Sequence, residues 1–175
     1  MVRLGEAAPD FSLPGVLHGV VREYSLKEFR GKWVILFFYP KDFTFICPTE
    51  VSGFNQKHQD FERANAQILG VSIDSVEVHS AWAKELGGLS YPLISDENGI
   101  VAKLYDAFDV NEGVPRRATF IIDPEQRLSY IVVSHVNVGR SIEETYRVLE
   151  ALRTGRPCPS GWQPGEPTLD PSMRY

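Results

Sequence analysis

Cysteine is scarce in this chain, with two residues in 175, at positions 47 and 158. Their separation excludes a Cys-x-x-Cys redox pair and a zinc knuckle, both of which need cysteines close together. Basic clusters are also missing: Arg116-Arg117 is the one basic pair that stands out, and the net charge is -5. That balance argues against a nucleic-acid-binding or anionic-membrane surface, which requires a basic patch. Long apolar runs are absent too. The longest, Trp33 to Tyr39, is far shorter than the roughly 20 residues a membrane helix needs. The first residues, Met1-Val2-Arg3-Leu4-Gly5-Glu6, carry no apolar signal segment. No internal repeat is visible. A soluble cytoplasmic protein is expected, and a 43% hydrophobic chain of 175 residues can bury one good core.

The scarcity of cysteine makes its surroundings informative. In a reducing compartment structural disulfides are rare, and cysteines that do form bonds tend to be transient and catalytic. Two inert buried thiols are the alternative. Cys47 ends a dense aromatic run, Phe37-Phe38-Tyr39-Pro40-Lys41-Asp42-Phe43-Thr44-Phe45-Ile46-Cys47-Pro48-Thr49-Glu50, and a helical pattern follows it. In or beside the first turn of that helix, unpaired N–H groups and the helix dipole favour a thiolate. Pro48 fits that placement, because proline is tolerated in the first turn. Thr44 either brings its hydroxyl near the sulfur, if the loop turns back, or simply caps the helix.

Hydrophobic periodicity suggests alternating strands and helices. Ser25-Leu26-Lys27-Glu28 reads as a capping box opening a short helix. Trp33 to Tyr39 is continuously apolar, as a central strand covered on both faces would be. Val51, Phe54 and Phe61 mark an amphipathic helix from Cys47 to about Ala64. Gln67 to Ile73 reads as a second buried strand, and Ser75 caps a helix reaching about Leu86. A short strand near Tyr91 to Ile94 and a helix around Gly99 to Tyr105 follow. Ala118 to Ile122 and Leu128 to Val133 flank the turn-rich Asp123-Pro124-Glu125-Gln126, a hairpin signature. Ser141-Ile142-Glu143-Glu144 caps a last helix that Gly155 can end. The order is β-α-β-α, then a β-hairpin and a helix, which is thioredoxin-like. Residues 2–157 are expected to form this α/β domain, and 158–175 a mobile proline-rich tail.

Pro40-x-x-x-Thr44-x-x-Cys47 resembles the peroxidatic motif of peroxiredoxins. Cys158-Pro159-Ser160-Gly161-Trp162-Gln163-Pro164-Gly165 is similar to the resolving-cysteine segment of their typical two-cysteine subgroup, which includes alkyl hydroperoxide reductase C-type proteins. Arg117-Ala118-Thr119-Phe120-Ile121-Ile122-Asp123 and Val138-Gly139-Arg140-Ser141 also match, so the resemblance covers nearly the whole chain. It implies a thioredoxin-like fold with the peroxiredoxin N-terminal extension and C-terminal tail.

The resemblance also implies roles. Cys47 would attack hydrogen peroxide or an organic hydroperoxide and become a sulfenic acid. An ordinary thiol is already a few per cent thiolate at neutral pH, so full ionisation gains only about one to two powers of ten. The remaining acceleration must come from groups that grip the oxygens as the O–O bond stretches. The family places Arg117, Thr44 and a backbone N–H there. Pro40 would shield the site and Glu50 would orient Arg117, with Arg140 joining this network. Cys158 of the other subunit would resolve the sulfenic acid into an intersubunit disulfide, after local unwinding of the Cys47 helix. Thioredoxin or a similar dithiol would then restore both thiols. No metal or bound organic cofactor is needed. Ser129 to Ser134 would pair with its two-fold mate in a homodimer, and five such dimers would form a decamer.

Two departures concern over-oxidation. Gly87-Gly88-Leu89-Ser90 only approaches the Gly-Gly-Leu-Gly of easily over-oxidised members, and Met173-Arg174-Tyr175 lacks their Tyr-Phe. Quick disulfide formation and resistance to sulfinic acid are expected. A thioredoxin-fold disulfide reductase or isomerase is disfavoured by the missing Cys-x-x-Cys. A non-enzymatic holdase or a redox-regulated interaction protein stays open as an added role.

Overall fold

The computed structural model describes residues 1–172; Met173-Arg174-Tyr175, on which the Tyr-Phe comparison falls, lie outside the described residues. The chain divides into two compact units, Met1–Arg140 and Ser141–Tyr175.

In the first unit an N-terminal hairpin, β1 (Ser12–Leu17) and β2 (Val20–Ser25), leads into a single 3₁₀ turn at Leu26–Phe29. Glu28 accepts the Ser25 N–H there (3.3 Å), as a capping box requires. Then come β3 (Trp33–Phe38), α1 (Cys47–Gln56), α2 (His58–Arg63), β4 (Ala66–Ser72), α3 (Val76–Glu85), β5 (Leu93–Ser95) and α4 (Ile100–Leu104). Two-residue strands β6 (Phe108–Asp109) and β7 (Val114–Pro115) pair with each other before the hairpin β8 (Arg117–Ile122) and β9 (Leu128–Ser134). One sheet of seven strands results, in the order β2-β1-β5-β4-β3-β8-β9.

β3 lies inside this sheet, parallel to β4 and antiparallel to β8, and Val34 to Phe38 are buried. The alternation of a strand sends its side chains to both faces. Val34, Leu36 and Phe38 join Leu69, Val71, Tyr105 and Phe120 in one core, where Phe120 packs edge-on against Phe38 and Tyr105. Phe37 stacks at 4.5 Å on Phe54 of α1 instead, which seats the Cys47 helix on the second face. The β8–β9 turn is closed by the Asp123 carboxylate, which accepts from the N–H groups of Glu125 (2.9 Å) and Arg127 (2.8 Å).

Three elements differ from expectation. The helix expected from Cys47 to about Ala64 breaks at Lys57, whose backbone (φ -99°, ψ 7°) sits in the bridge region. The third inner strand begins at Leu93, past Pro92, which has no N–H to give the ladder. The hairpin β1–β2, in a stretch for which no element was expected, joins the sheet by pairing β1 with β5.

The second unit holds α5 (Ile142–Thr154) and the proline-rich segment. Ser141 Oγ accepts the Glu144 N–H (3.1 Å), and Gly155, in the left-handed region at φ 64°, ends the helix. The segment beyond is tied down rather than loose. Trp162 is buried, Arg147 donates to its carbonyl (3.0 Å), and the Leu169 N–H donates to Pro157 O (2.8 Å). Among the described residues no helix is long and apolar enough to cross a membrane.

Candidate active site

Cys47 is the first residue of α1, with Pro48 following in the first turn, and its side chain is buried. Ile46 precedes it as the helix cap, offering no side-chain hydrogen bond, while its carbonyl accepts from Thr49 Oγ1 (2.6 Å). One turn further on, Glu50 faces the same side and is also buried.

Two arginines meet Glu50 from different elements of the same unit. Arg117, the first residue of β8, donates through Nη1 to Glu50 Oε2 (3.0 Å) and to Cys47 Sγ (3.3 Å). Its Nε donates to Val136 O (2.8 Å), which fixes the guanidinium plane. Arg140 donates through Nη2 to Glu50 Oε2 (3.2 Å) and Phe38 O (2.6 Å), and through Nη1 to Ala118 O and Thr119 Oγ1 (both 3.0 Å). Its backbone N–H reaches Glu50 Oε1 (2.9 Å). Gly139 permits that approach, since a Cβ there would lie 3.3 Å from Ile46 Cγ2.

The set holds two guanidinium groups and one carboxylate, so a thiolate on Cys47 completes its neutrality. Burial pulls the Arg140 guanidinium below its ordinary value, and Glu50 pushes it back. Arg140 Nε is buried without a hydrogen-bond partner. The Phe37 ring lies beneath this guanidinium, 5.2 Å from ring centroid to Cζ.

The remaining residues singled out from the sequence sit as follows. Pro40 is half-buried and opens the loop from β3 to Cys47. Thr44 lies in that loop and donates its hydroxyl to Lys41 O (3.0 Å), not to the sulfur. It does not cap the helix, since Ile46 holds that position. Cys158, in the second unit, is half-buried, with Sγ 3.6 Å from Thr154 Oγ1. Both cysteines are free thiols.

A polar group behind the loop was missed. Asp42 accepts from Tyr39 Oη (2.6 Å) and pairs with His79 Nδ1 (2.7 Å), while its own N–H donates to Asp74 Oδ2 (2.8 Å). His79 and Asp42 are buried. Asp42 lies in a loop beside Lys41 and His79 on an amphipathic helix, so neither stood out, and no sequence pattern joins residues so far apart. Asp42, Asp74 and His79 are also the one trio of metal-type ligands found among the described residues. Their polar atoms are already engaged with one another and with Ser72, whose hydroxyl donates to Asp74 Oδ2 (2.6 Å).

A buried thiol at a helix start, gripped by an arginine on the sheet beside it, defines a thiol-dependent oxidoreductase of thioredoxin-like fold. The family model described as "AhpC/TSA family" matches residues 4–131. A putative peroxiredoxin of Bacillus subtilis is 44% identical, covering 95% of this chain and 97% of its own. The chloroplastic 2-Cys peroxiredoxin of Spinacia oleracea is 42% identical over 98% of this chain and 69% of its own. Among solved structures, the reduced 2-Cys peroxiredoxin of Plasmodium vivax superposes with a TM-score of 0.91 at 33% identity, covering 97% of this chain and 93% of that one. The AhpC of Mycobacterium bovis gives 0.84 at 33% identity, covering 93% and 99%. The chain belongs to the AhpC/TSA family, and it is a peroxidase of the peroxiredoxin type.

Proposed function

We propose that Cys47 is the peroxidatic thiol and that the protein reduces hydrogen peroxide and organic hydroperoxides through a two-cysteine cycle. The observation that carries this reading is the contact of Arg117 Nη1 with both Cys47 Sγ and Glu50 Oε2. The thiolate attacks one peroxide oxygen. An S–O bond forms, the O–O bond breaks, and the second oxygen leaves as alkoxide or hydroxide and takes a proton from water. Arg117 supplies donors where that charge develops. Glu50 and Arg140 keep the guanidinium aimed, Pro40 limits water, and Thr44 contributes its hydroxyl once the loop adjusts to substrate.

Cys47 then carries a sulfenic acid. Because its side chain is buried, a second thiol can reach it only if the first turn of α1 opens. Cys158 of a second subunit attacks the sulfenic sulfur, an S–S bond forms and water leaves. Thioredoxin or a comparable dithiol restores both thiols by exchange and is itself oxidised to a disulfide. This chemistry suits a reducing, cytoplasmic compartment.

We also propose a homodimer in which β9, an edge of the sheet, pairs with its symmetry mate, and a decamer of five dimers. The exposed Val133, Val136 and Val138 (49%, 54% and 57%) support this reading, because an open apolar edge invites pairing. Light scattering on the reduced protein gives the mass directly.

The functional test is peroxide consumption coupled to thioredoxin and its reductase. Wild type should turn over, Cys47→Ser should not, and Cys158→Ser should oxidise once without recycling. Full activity of Cys47→Ser would refute the assignment.

A further inference from the structure

The segment after α5 holds Cys158 between fixed points. Gly155, at φ 64°, turns the chain out of the helix while its N–H still returns to Leu152 O (3.2 Å). Pro157 O accepts the Leu169 N–H (2.8 Å), and Arg147 donates to the carbonyl of buried Trp162 (3.0 Å). Between these anchors the half-buried Cys158 borders a cleft of about 720 Å³ between α5 and residues 155–161.

One residue gathers the polar groups around this sulfur. Thr154 Oγ1 lies 2.7 Å from Ala151 O and 3.4 Å from Arg156 O, accepts the Arg156 N–H (3.1 Å) and stands 3.6 Å from Cys158 Sγ. Both carbonyls can only accept, so the single hydroxyl hydrogen goes to the nearer one, Ala151 O. Toward Thr154 the S–H is therefore the donor. Arg156 O (3.5 Å) and Ala151 O (3.9 Å) also accept from it, and among the described residues every hydrogen-bond partner of this sulfur is an oxygen. Cys47 is wired the other way, since its sulfur accepts from Arg117 Nη1.

We propose that Thr154 is a positioning residue for Cys158. Its hydroxyl, bonded to the end of α5 on one side and to the Arg156 N–H on the other, keeps the thiol in one place beside the cleft. The opened first turn of α1 from a second subunit then meets a fixed target, and part of the entropic cost of bringing two thiols together is met in advance. The proposal rests on the two-cysteine reading of the site. In the step it serves, Cys158 Sγ bonds to the sulfenic sulfur of Cys47, the S–O bond breaks, and the thiol hydrogen leaves with the hydroxyl as water.

The test mixes the reduced full-length protein with hydrogen peroxide and quenches it at intervals with acid and an alkylating agent. Mass spectrometry then counts Cys47 sulfenic acid and the Cys47–Cys158 disulfide separately. Thr154→Val keeps the shape of the side chain and removes the hydroxyl. It should slow disulfide formation by about fivefold, the ratio set by a hydrogen bond of ordinary net worth. The rate of sulfenic acid formation should not move, and sulfinic acid should rise at higher peroxide. Thr154→Ser should restore the wild-type rate. Amide exchange at Arg156 should quicken in Thr154→Val and stay slow in Thr154→Ser. The split between the two phases and the rescue by serine set this role apart from a general weakening of α5.

Disulfide formation in Thr154→Val as fast as in wild type, or faster, would overturn the inference alone. Thr154→Ala, also without the hydroxyl, carries the same test should the valine variant not fold. A slow variant that Thr154→Ser does not rescue would overturn it too. A wild type that forms sulfenic acid on Cys47 but no disulfide with Cys158 would instead refute the two-cysteine reading, and the inference with it.

Discussion

Arg117 and Cys47, seventy positions apart, meet at 3.3 Å because the first residue of β8 and the first residue of α1 lie at the same end of the central strand β3. A guanidinium held by Val136 O and Glu50 cannot follow the sulfur; on the proposed mechanism it fixes where charge is stabilised. Arg117→Lys should therefore lower the rate of Cys47 oxidation by about a hundredfold or more, since an ammonium cannot span Sγ, Glu50 and Val136 at once. Stopped-flow oxidation with limiting peroxide measures this.

Glu50 is the buried carboxylate between two buried guanidinium groups. Glu50→Gln leaves their repulsion uncompensated and should cost roughly 3 kcal/mol of folding stability, as breaking a buried pair does. Urea unfolding of the reduced protein, at matched protein concentration, reads the loss.

The middle and end of α1 are clasped by the segment before β5. Tyr91 donates its hydroxyl to Val51 O (2.7 Å), and Asn55 exchanges hydrogen bonds with Gly88 O and the Ser90 N–H. Tyr91→Phe should weaken the helix by about 1 kcal/mol. Disulfide formation should then outrun over-oxidation more strongly, giving less Cys47 sulfinic acid by mass spectrometry at a given peroxide dose.

Glu144 in the first turn of α5 is forked by Arg147 (2.6 and 2.7 Å), and that hydrogen bonding holds its carboxyl below the ordinary value. A depressed folded value contributes stability above the unfolded value that is lost as pH falls through the folded one. Glu144→Gln should cost under about 1 kcal/mol at neutral pH, because the pair is exposed. The gap between variant and wild type should close below about pH 4 in thermal melts.

Much of this was readable from the sequence, for specific reasons. β3 is apolar on both faces, α3 and α5 are opened by the serines Ser75 and Ser141, and the Asp123 turn carries its own closing carboxylate. Those signals are local. The meeting of Cys47, Glu50, Arg117 and Arg140 is not local, and the motif resemblance pointed to it where periodicity was silent. The Asp42–His79 pair had no such pointer. Thr44 shows a different limit: its spacing to Cys47 suggested a contact, but the left-handed turn at Phe43 sends its hydroxyl to Lys41 O.

The most direct test of the central claim is to treat reduced Cys158→Ser with one equivalent of hydrogen peroxide and trap sulfenic acid with a dimedone probe. Peptide mass spectrometry should find the label on Cys47, and Arg117→Lys in the same background should acquire it far more slowly. An unlabelled Cys47, or labelling unaffected by Arg117→Lys, would contradict the account.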